Sequence, residues 1–208
     1  MWQGMTEHDI RIHHLGRTEY QPTWTAMQAY TDARDATTVD ELWVTEHLPV
    51  YTQGLNGRPE HLLQSTDIPL VQVDRGGQVT YHGPGQLVIY TLLNLPRRGF
   101  GVKGLVARLE ASVIELLSTY DIAAAVRAGA PGVYVAEAKI AALGLRIRKG
   151  CCYHGLSLNV DMNLTPFQNI NPCGFPGLAV TQLRDLGVTD DIWQVGHKLS
   201  TIMSRVLR

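Results

Sequence analysis

Hydrophobic and polar positions change their period several times along the chain, and each change marks an element. Ile10 to Leu15 alternates weakly and predicts a first strand. From Pro22 the stretch holding Trp24, Met27, Gln28 and Ala29 predicts a helix that ends before Val39. Glu41 to Glu46 predicts a short strand, and Gly54 to Pro69 has turn residues without a period and predicts a loop. Leu70 to Val73 predicts a strand running into Arg75-Gly76-Gly77. Leu87 to Leu95 is apolar on both faces, as a central strand covered on both sides should be. Val102, Leu105, Val106, Leu109, Val113, Leu116 and Leu117 recur at three-and-four spacing, which predicts an amphipathic helix over Val102 to Tyr120. Gly132 to Ala136, Lys139 to Ile147 and Cys152 to Val160 predict three strands in succession. A last helix has Ile192, Val195, Leu199, Ile202 and Val206 on one face, with Asp190 and Asp191 at its N-terminal end, where the helix dipole favours acids. Alternating elements early and clustered strands late indicate a mixed α/β sheet with flanking helices. No linker-like gap interrupts it, so a single domain over 1–208 is expected.

Composition narrows the function classes. A hydrophobic share of 45% supports a sizeable core, and 18 Lys+Arg against 19 Asp+Glu lack the basic excess of a dedicated nucleic-acid binder. Met1 to Leu15 mixes Glu7, Asp9, Arg11 and three histidines among apolar side chains, so no export signal is expected. Leu87 to Leu95 is broken by Tyr90, Thr91 and Asn94 and is too short for a bilayer, so no membrane partner is expected. Cys151, Cys152 and Cys173 form a poor disulfide framework, being odd in number with two adjacent. A reducing cytoplasm is the expected compartment.

The densest punctuation is Arg75-Gly76-Gly77-Gln78-Val79-Thr80-Tyr81-His82, continuing through Gly83-Pro84-Gly85-Gln86. Backbone N–H groups in such a loop suit a carboxylate, phosphate or oxyanion, and the bland alternative is a pair of tight surface turns. It is no P-loop, because no Gly-Lys-Ser/Thr follows, and it lacks the order of a dinucleotide site. Cys173 sits between Pro172 and Gly174 on a loop that cannot be helix interior or central strand. Cys152 instead shares a strand face with His154, Leu156, Leu158 and Val160, the setting of an inert buried thiol. Cys173 is thus the better nucleophile candidate, set against the plain reading of an unremarkable loop cysteine. Alternation places Lys139 on one face with Ala141, Leu143, Leu145 and Ile147, and Gly144, Arg146 and Arg148 on the wet face. An inward lysine has a depressed pKa and can act as a base, whereas a strand-end lysine snorkels to water, and pattern alone leaves both open. Adjacent His13-His14 and Cys151-Cys152 pairs point opposite ways and make metal binding a weak reading, so neither metal nor cofactor is expected. Arg97, Arg98 and Lys103, then Arg146, Arg148 and Lys149, form basic clusters. They read either as a solvated face or as a docking patch for acidic proteins.

Five motifs occur in order: Asp74 to Gln86, Pro131-Gly-Val-Tyr-Val135, Lys139-Ile-Ala-Ala-Leu-Gly-Leu-Arg146, His154-Gly-Leu-Ser-Leu-Asn159 and Ile170-Asn-Pro-Cys-Gly174. Together they resemble the lipoyl(octanoyl) transferase, or lipoate-protein ligase B, family. Two features depart from the pattern: Tyr134 stands where many members have Trp, and the Cys151-Cys152 pair lies outside it. The resemblance implies the fold of biotin and lipoate ligases and transferases, and octanoyl transfer from octanoyl-acyl carrier protein to a lysine of lipoyl domains. Those domains belong to 2-oxoacid dehydrogenase complexes and the glycine cleavage H protein. It also implies Cys173 as the acyl-thioester nucleophile with Lys139 as its partner. The acyl pocket would run over Arg75 to His82, Ala142, Leu143 and Gly144, and Gly155, Leu156 and Ser157. Glycines 76, 77, 144 and 155 would leave its slot. Two other readings are an ATP-dependent ligase of the same fold and a non-catalytic module that binds carrier or lipoyl domains.

Overall fold

The computed structural model describes residues 9–208. The part of the N-terminal reading that falls on residues 1–8 lies outside them. In chain order the elements are β1 (Ile10–Thr18), α1 (Tyr20–Asp32), β2 (Asp40–His47), β3 (Val50–Gln53), β4 (Leu70–Gln72), β5 (Val79–His82) and β6 (Gln86–Asn94). Then follow α2 (Leu95–Arg98), α3 (Val102–Ser118), β7 (Val133–Val135), β8 (Ala138–Arg148), β9 (Cys151–Asn159) and α4 (Ile192–Val206). A six-stranded sheet runs in the order β1-β2-β6-β9-β8-β7, and a three-stranded sheet in the order β4-β3-β5. Only β1 with β2 and β3 with β4 are parallel, and β1-α1-β2 forms the one helical crossover between parallel neighbours among the described residues.

The two-faced apolar reading of Leu87 to Leu95 follows from the position of β6. Leu87, Ile89 and Leu93 pack into a core with Leu105, Leu109, Val113 and Leu116 of α3 and Val195, Leu199 and Met203 of α4. Val88, Tyr90 and Leu92 project from the opposite face onto Met27 of α1 and Tyr153 of β9. Both faces of the strand are dry, so period two vanishes from its sequence. The α4 start also follows the sequence. Asp191 accepts from the Trp193 and Gln194 N–H groups at 2.9 and 2.8 Å, and Gln194 Oε1 accepts from the Asp191 N–H, closing a capping box.

Three readings need correction. The four-residue strands β3 and β5 are real, and β5 lies inside the stretch read as one continuous loop. Leu95 leaves its strand for α2, where Pro96 cannot donate to a ladder. The basic clusters are not one free patch. Arg98 Nε and Arg97 Nη2 each reach an Asp40 carboxylate oxygen at 2.6 Å, and Arg34 joins them on the same carboxylate. Asp40 and Arg98 have fully buried side chains. Arg148 pairs with Asp32 at 3.0 Å, so Lys103 and Lys149 are the exposed cations of the set without an ion pair among the described residues.

Candidate active site

Cys173 occupies the middle of a single 3-10 turn, Pro172–Gly174, pinned at its base by the Asn171 N–H donating to His61 O at 2.9 Å. Its φ of 57° is left-handed, and Gly174 follows at 80°. A non-glycine residue in that region is strained by about 1–3 kcal/mol and persists only where its surroundings enforce it. Here the buried Pro172 and the Gly174 N–H bond to Asn171 O do so. The turn leaves the thiol half-buried, whereas Cys151 and Cys152 are buried. Burial pushes the Cys152 thiol up to about 12 although Thr91 bonds it, which makes it inert at neutral pH.

Lys139 is buried, so the snorkelling reading falls. The alternation reading is also corrected. Val133 pairs with Ala141 but Tyr134 pairs with Lys139, so β8 gains one residue at Ile140. Ile140 and Ala141 both enter the hydrophobic core. Lys139 is thereby shifted out of phase with Leu143 and comes to the cleft side of the sheet. Its Nζ donates to Pro131 O at 3.0 Å and lies 3.2 Å from Cys173 Sγ. Gly132 makes room for this chain, since a Cβ there would stand 3.1 Å from Lys139 Cε and 2.6 Å from Ala141 O.

The thiol opens on a narrow cleft of about 60 Å³ between the two sheets. Thr80, Ala142, Ser157 and Cys173 also line a smaller hollow that contains Lys139. Most of the expected acyl pocket gathers here: Arg75, Gly77, Gln78, Thr80, His82, Ala142, Leu143, Gly144, Gly155, Leu156 and Ser157. Val79 and Tyr81 do not line the cleft. They occupy alternate positions of β5 and pack with Tyr51 and Phe167 in a separate apolar cluster. Gly76 does not line it either, and donates its N–H to Leu145 O at 3.0 Å. The glycine slot is likewise amended. A Cβ at Gly144 would meet Arg75 Cδ at 2.8 Å, so that glycine accommodates the arginine. A Cβ at Gly155 would strike Ile89 O at 2.1 Å, so that one allows close strand packing.

Four wall residues escaped the pocket reading: Tyr20, Val88, Tyr90 and His154. Their aromatic and apolar character is that of any core position, and only His154 fell inside a quoted motif. The expected face sharing of His154 with Cys152 also fails. With φ 61° it turns toward Tyr153, stacks on that ring, and bonds Asp74 Oδ1 through Nε2 at 3.1 Å. Asp74 also accepts from Trp24 Nε1 at 2.9 Å and from Tyr153 Oη. Burial opposes its charge, but bonds from His154, Tyr153 and Trp24 outweigh that and hold the carboxyl below the usual range. Burial drives His82 down to about 3 and His47 to about 4, so both rings are neutral at pH 7. Among the described residues no three His, Cys, Asp or Glu side chains gather as a metal site, and no helix is long and apolar enough to cross a membrane.

Residues 19–203 match the family model for the lipoyl protein ligase A/B catalytic domain. The chain is 58% identical over 196 residues to an octanoyltransferase of Thiobacillus denitrificans, covering 94% of this chain and 90% of that protein. It is 59% identical to the octanoyltransferase of Chromobacterium violaceum, covering 94% and 95%. Among solved structures it resembles lipoate-protein ligase A bound with ATP, with TM-score 0.78 and 16% identity over 96% of this chain and 85% of that one. A Thermoplasma acidophilum bipartite lipoate protein ligase, studied with its E2 lipoyl domain, gives TM-score 0.74 at 18% identity, covering 96% and 84%. At these identities the structural likenesses establish the shared fold, as expected from the motifs.

Proposed function

The chain belongs to the lipoyl protein ligase A/B catalytic-domain family, and from that premise we propose how it carries out octanoyl transfer in protein lipoylation. It is an acyltransferase whose acceptors are lipoyl domains. In our reading the donor is octanoyl-acyl carrier protein. The acceptors include those of 2-oxoacid dehydrogenase complexes and the glycine cleavage H protein. Residues 1–208 act as one catalytic domain in the cytoplasm, where the three cysteines stay free thiols.

The observation that carries the mechanism is the 3.2 Å approach of Lys139 Nζ to Cys173 Sγ at the mouth of the cleft. A thioester is already activated, so a thiolate exchanges with it without ATP. Lys139 takes the Cys173 proton, and the sulfur attacks the donor carbonyl. The donor C–S bond then breaks, and the Lys139 ammonium returns the proton to the departing thiol. In the second half-reaction the acceptor lysine amine attacks the Cys173 thioester, Lys139 accepts a proton from that amine, and the Cys173 sulfur leaves. The octanoyl chain lies between Ala142 to Gly144 on β8 and Thr80 and His82 on β5.

Intact-protein mass spectrometry after mixing with octanoyl-acyl carrier protein tests this reading. A single hydroxylamine-labile octanoyl adduct should form and map to Cys173. It should vanish in Cys173→Ser and survive in Cys151→Ser and Cys152→Ser. An adduct on Cys151 or Cys152 overturns the assignment.

A further inference from the structure

Arg75 is buried in the cleft wall, and among the described residues no carboxylate lies within 4 Å of it. Its guanidinium bonds neutral oxygens only: Thr52 O at 2.7 Å, Thr52 Oγ1 at 2.8 Å and Gly76 O at 2.9 Å. Nε is buried without any partner. The neighbouring Asp74 directs its carboxylate to Trp24, Gln28, Tyr153 and His154 instead. A buried cation that lacks a counter-ion is destabilising, so a fold that retains one places it where negative charge arises. Removing Arg75 from this wall would also leave Thr52 O and Oγ1 without their donor.

The groups around the cleft identify where that charge arises. Tyr20 of α1, His82 of β5, Tyr90 of β6, His154 of β9 and Cys173 line the same space as Arg75, with Lys139 of β8 against the thiol. His61 Nε2 lies beside Gly174. Burial raises both Tyr20 and Tyr90, so neither phenol ionises near neutrality. Burial also lowers His82 and His154, so neither adds a cation. Among the groups lining this space, Cys173 is the one that the transfer chemistry turns into an anion.

We propose that Arg75 is a positioning residue for the transfer reaction, a fixed cation behind the cleft wall that holds Cys173 as the thiolate jointly with Lys139. The S–H proton passes to Lys139 Nζ, and the charge left on sulfur faces two cations rather than one. Lys139 is mobile in charge, because it takes and gives the proton, whereas a guanidinium stays charged throughout. Arg75 therefore supplies the part of the field that does not disappear when Lys139 is neutral. This inference rests on the Cys173 reading above, but its test needs no acyl donor.

The experiment is iodoacetamide alkylation of Cys173, followed by mass spectrometry across pH. The wild-type midpoint should lie below the ordinary thiol value of about 8.5. In Arg75→Gln it should rise by about one pH unit or more, and Arg75→Lys should recover part of the shift because a charge remains. A folded Arg75→Gln protein with the wild-type midpoint overturns the proposal. If Arg75→Gln does not fold, Lys139→Ala decides, since Arg75 is then the remaining cation of the pair. A midpoint still below about 8.5 supports the role, and one at or above it overturns the role. Failure of the octanoyl adduct to form would remove the transfer reading while leaving this titration intact.

Discussion

Lys139 shows why a side chain's chemistry depends on more than its proximity. Its Nζ touches Pro131 O and Cys173 Sγ, and the Tyr134 ring lies 5.2 Å below. If it shuttles protons, Lys139→Arg should not rescue the enzyme, because guanidinium cannot accept one near neutrality. Lys139→Ala and Lys139→Arg should both lose about 10²–10⁴-fold in kcat for each half-reaction, measured separately by single turnover. If the lysine only held the end of β8, arginine would substitute well, so wild-type turnover in Lys139→Arg would remove the proton-transfer role. Cys173 and Lys139 stood out in the sequence through their motifs and loop or strand setting, and the fold brings them within 3.2 Å of each other. Tyr20, Tyr90 and Asp74 were not legible as site residues, because a buried tyrosine or a strand-end aspartate looks alike in any core.

The β7–β8 ladder shows how one extra residue sets the site. Without the slip at Ile140, Lys139 would share a face with Leu143 and point into the helix-packed core. Gly132 protects that arrangement, with φ at 134° and only 2.6 Å between its notional Cβ and Ala141 O. Gly132→Ala should therefore push the ladder and Lys139 away from Cys173. Misplacement by about 1 Å costs on the order of 10²-fold, so kcat should fall sharply. Most strands lie far from the change, so the melting temperature should fall less than it would for a core cavity. A variant with unchanged kcat would show that the bulge tolerates a methyl group. Sequence period located the strands and helices but not this slip, since a bulge changes pairing without changing composition. β5 was hidden for a related reason. Its four residues stand between glycines that read as turns, and their alternation became visible only when Thr80 and His82 were seen on the cleft and Val79 and Tyr81 on the other side.

At the scale of the whole molecule, the two sheets meet through rings that must stay uncharged. Tyr20 of α1 lies 5.2 Å from His47 of the large sheet and 5.9 Å from His82 of the small one, with 6.1 Å between the two imidazoles. In the fold His47 and His82 titrate at about 4 and about 3, against about 6.5 in an unfolded chain. Between those values the unfolded chain binds protons that the fold refuses, so their contribution is full above about pH 6.5 and falls as pH drops toward 4 and then 3. Thermal melts should show the midpoint falling from neutral pH to about pH 4. A His47→Gln, His82→Gln double variant should have a flatter profile, and an equal slope in both proteins would count against this junction as the acid-sensitive element.

The placement of the three sulfurs has a consequence for redox chemistry. Cys151 and Cys152 are folded into β9, while Cys173 alone is within reach of small molecules. An accessible thiol beside a group that can take its proton is the kind that peroxide converts to sulfenic acid. The two buried thiols are in no position to resolve that product as an internal disulfide, so recovery depends on a thiol supplied from outside. If Cys173 carries the acyl group, the acyl-enzyme, with its sulfur already esterified, is the oxidant-resistant form. Peroxide should inactivate the free enzyme and spare the octanoyl-loaded one, and equal rates of loss would show that oxidation acts elsewhere.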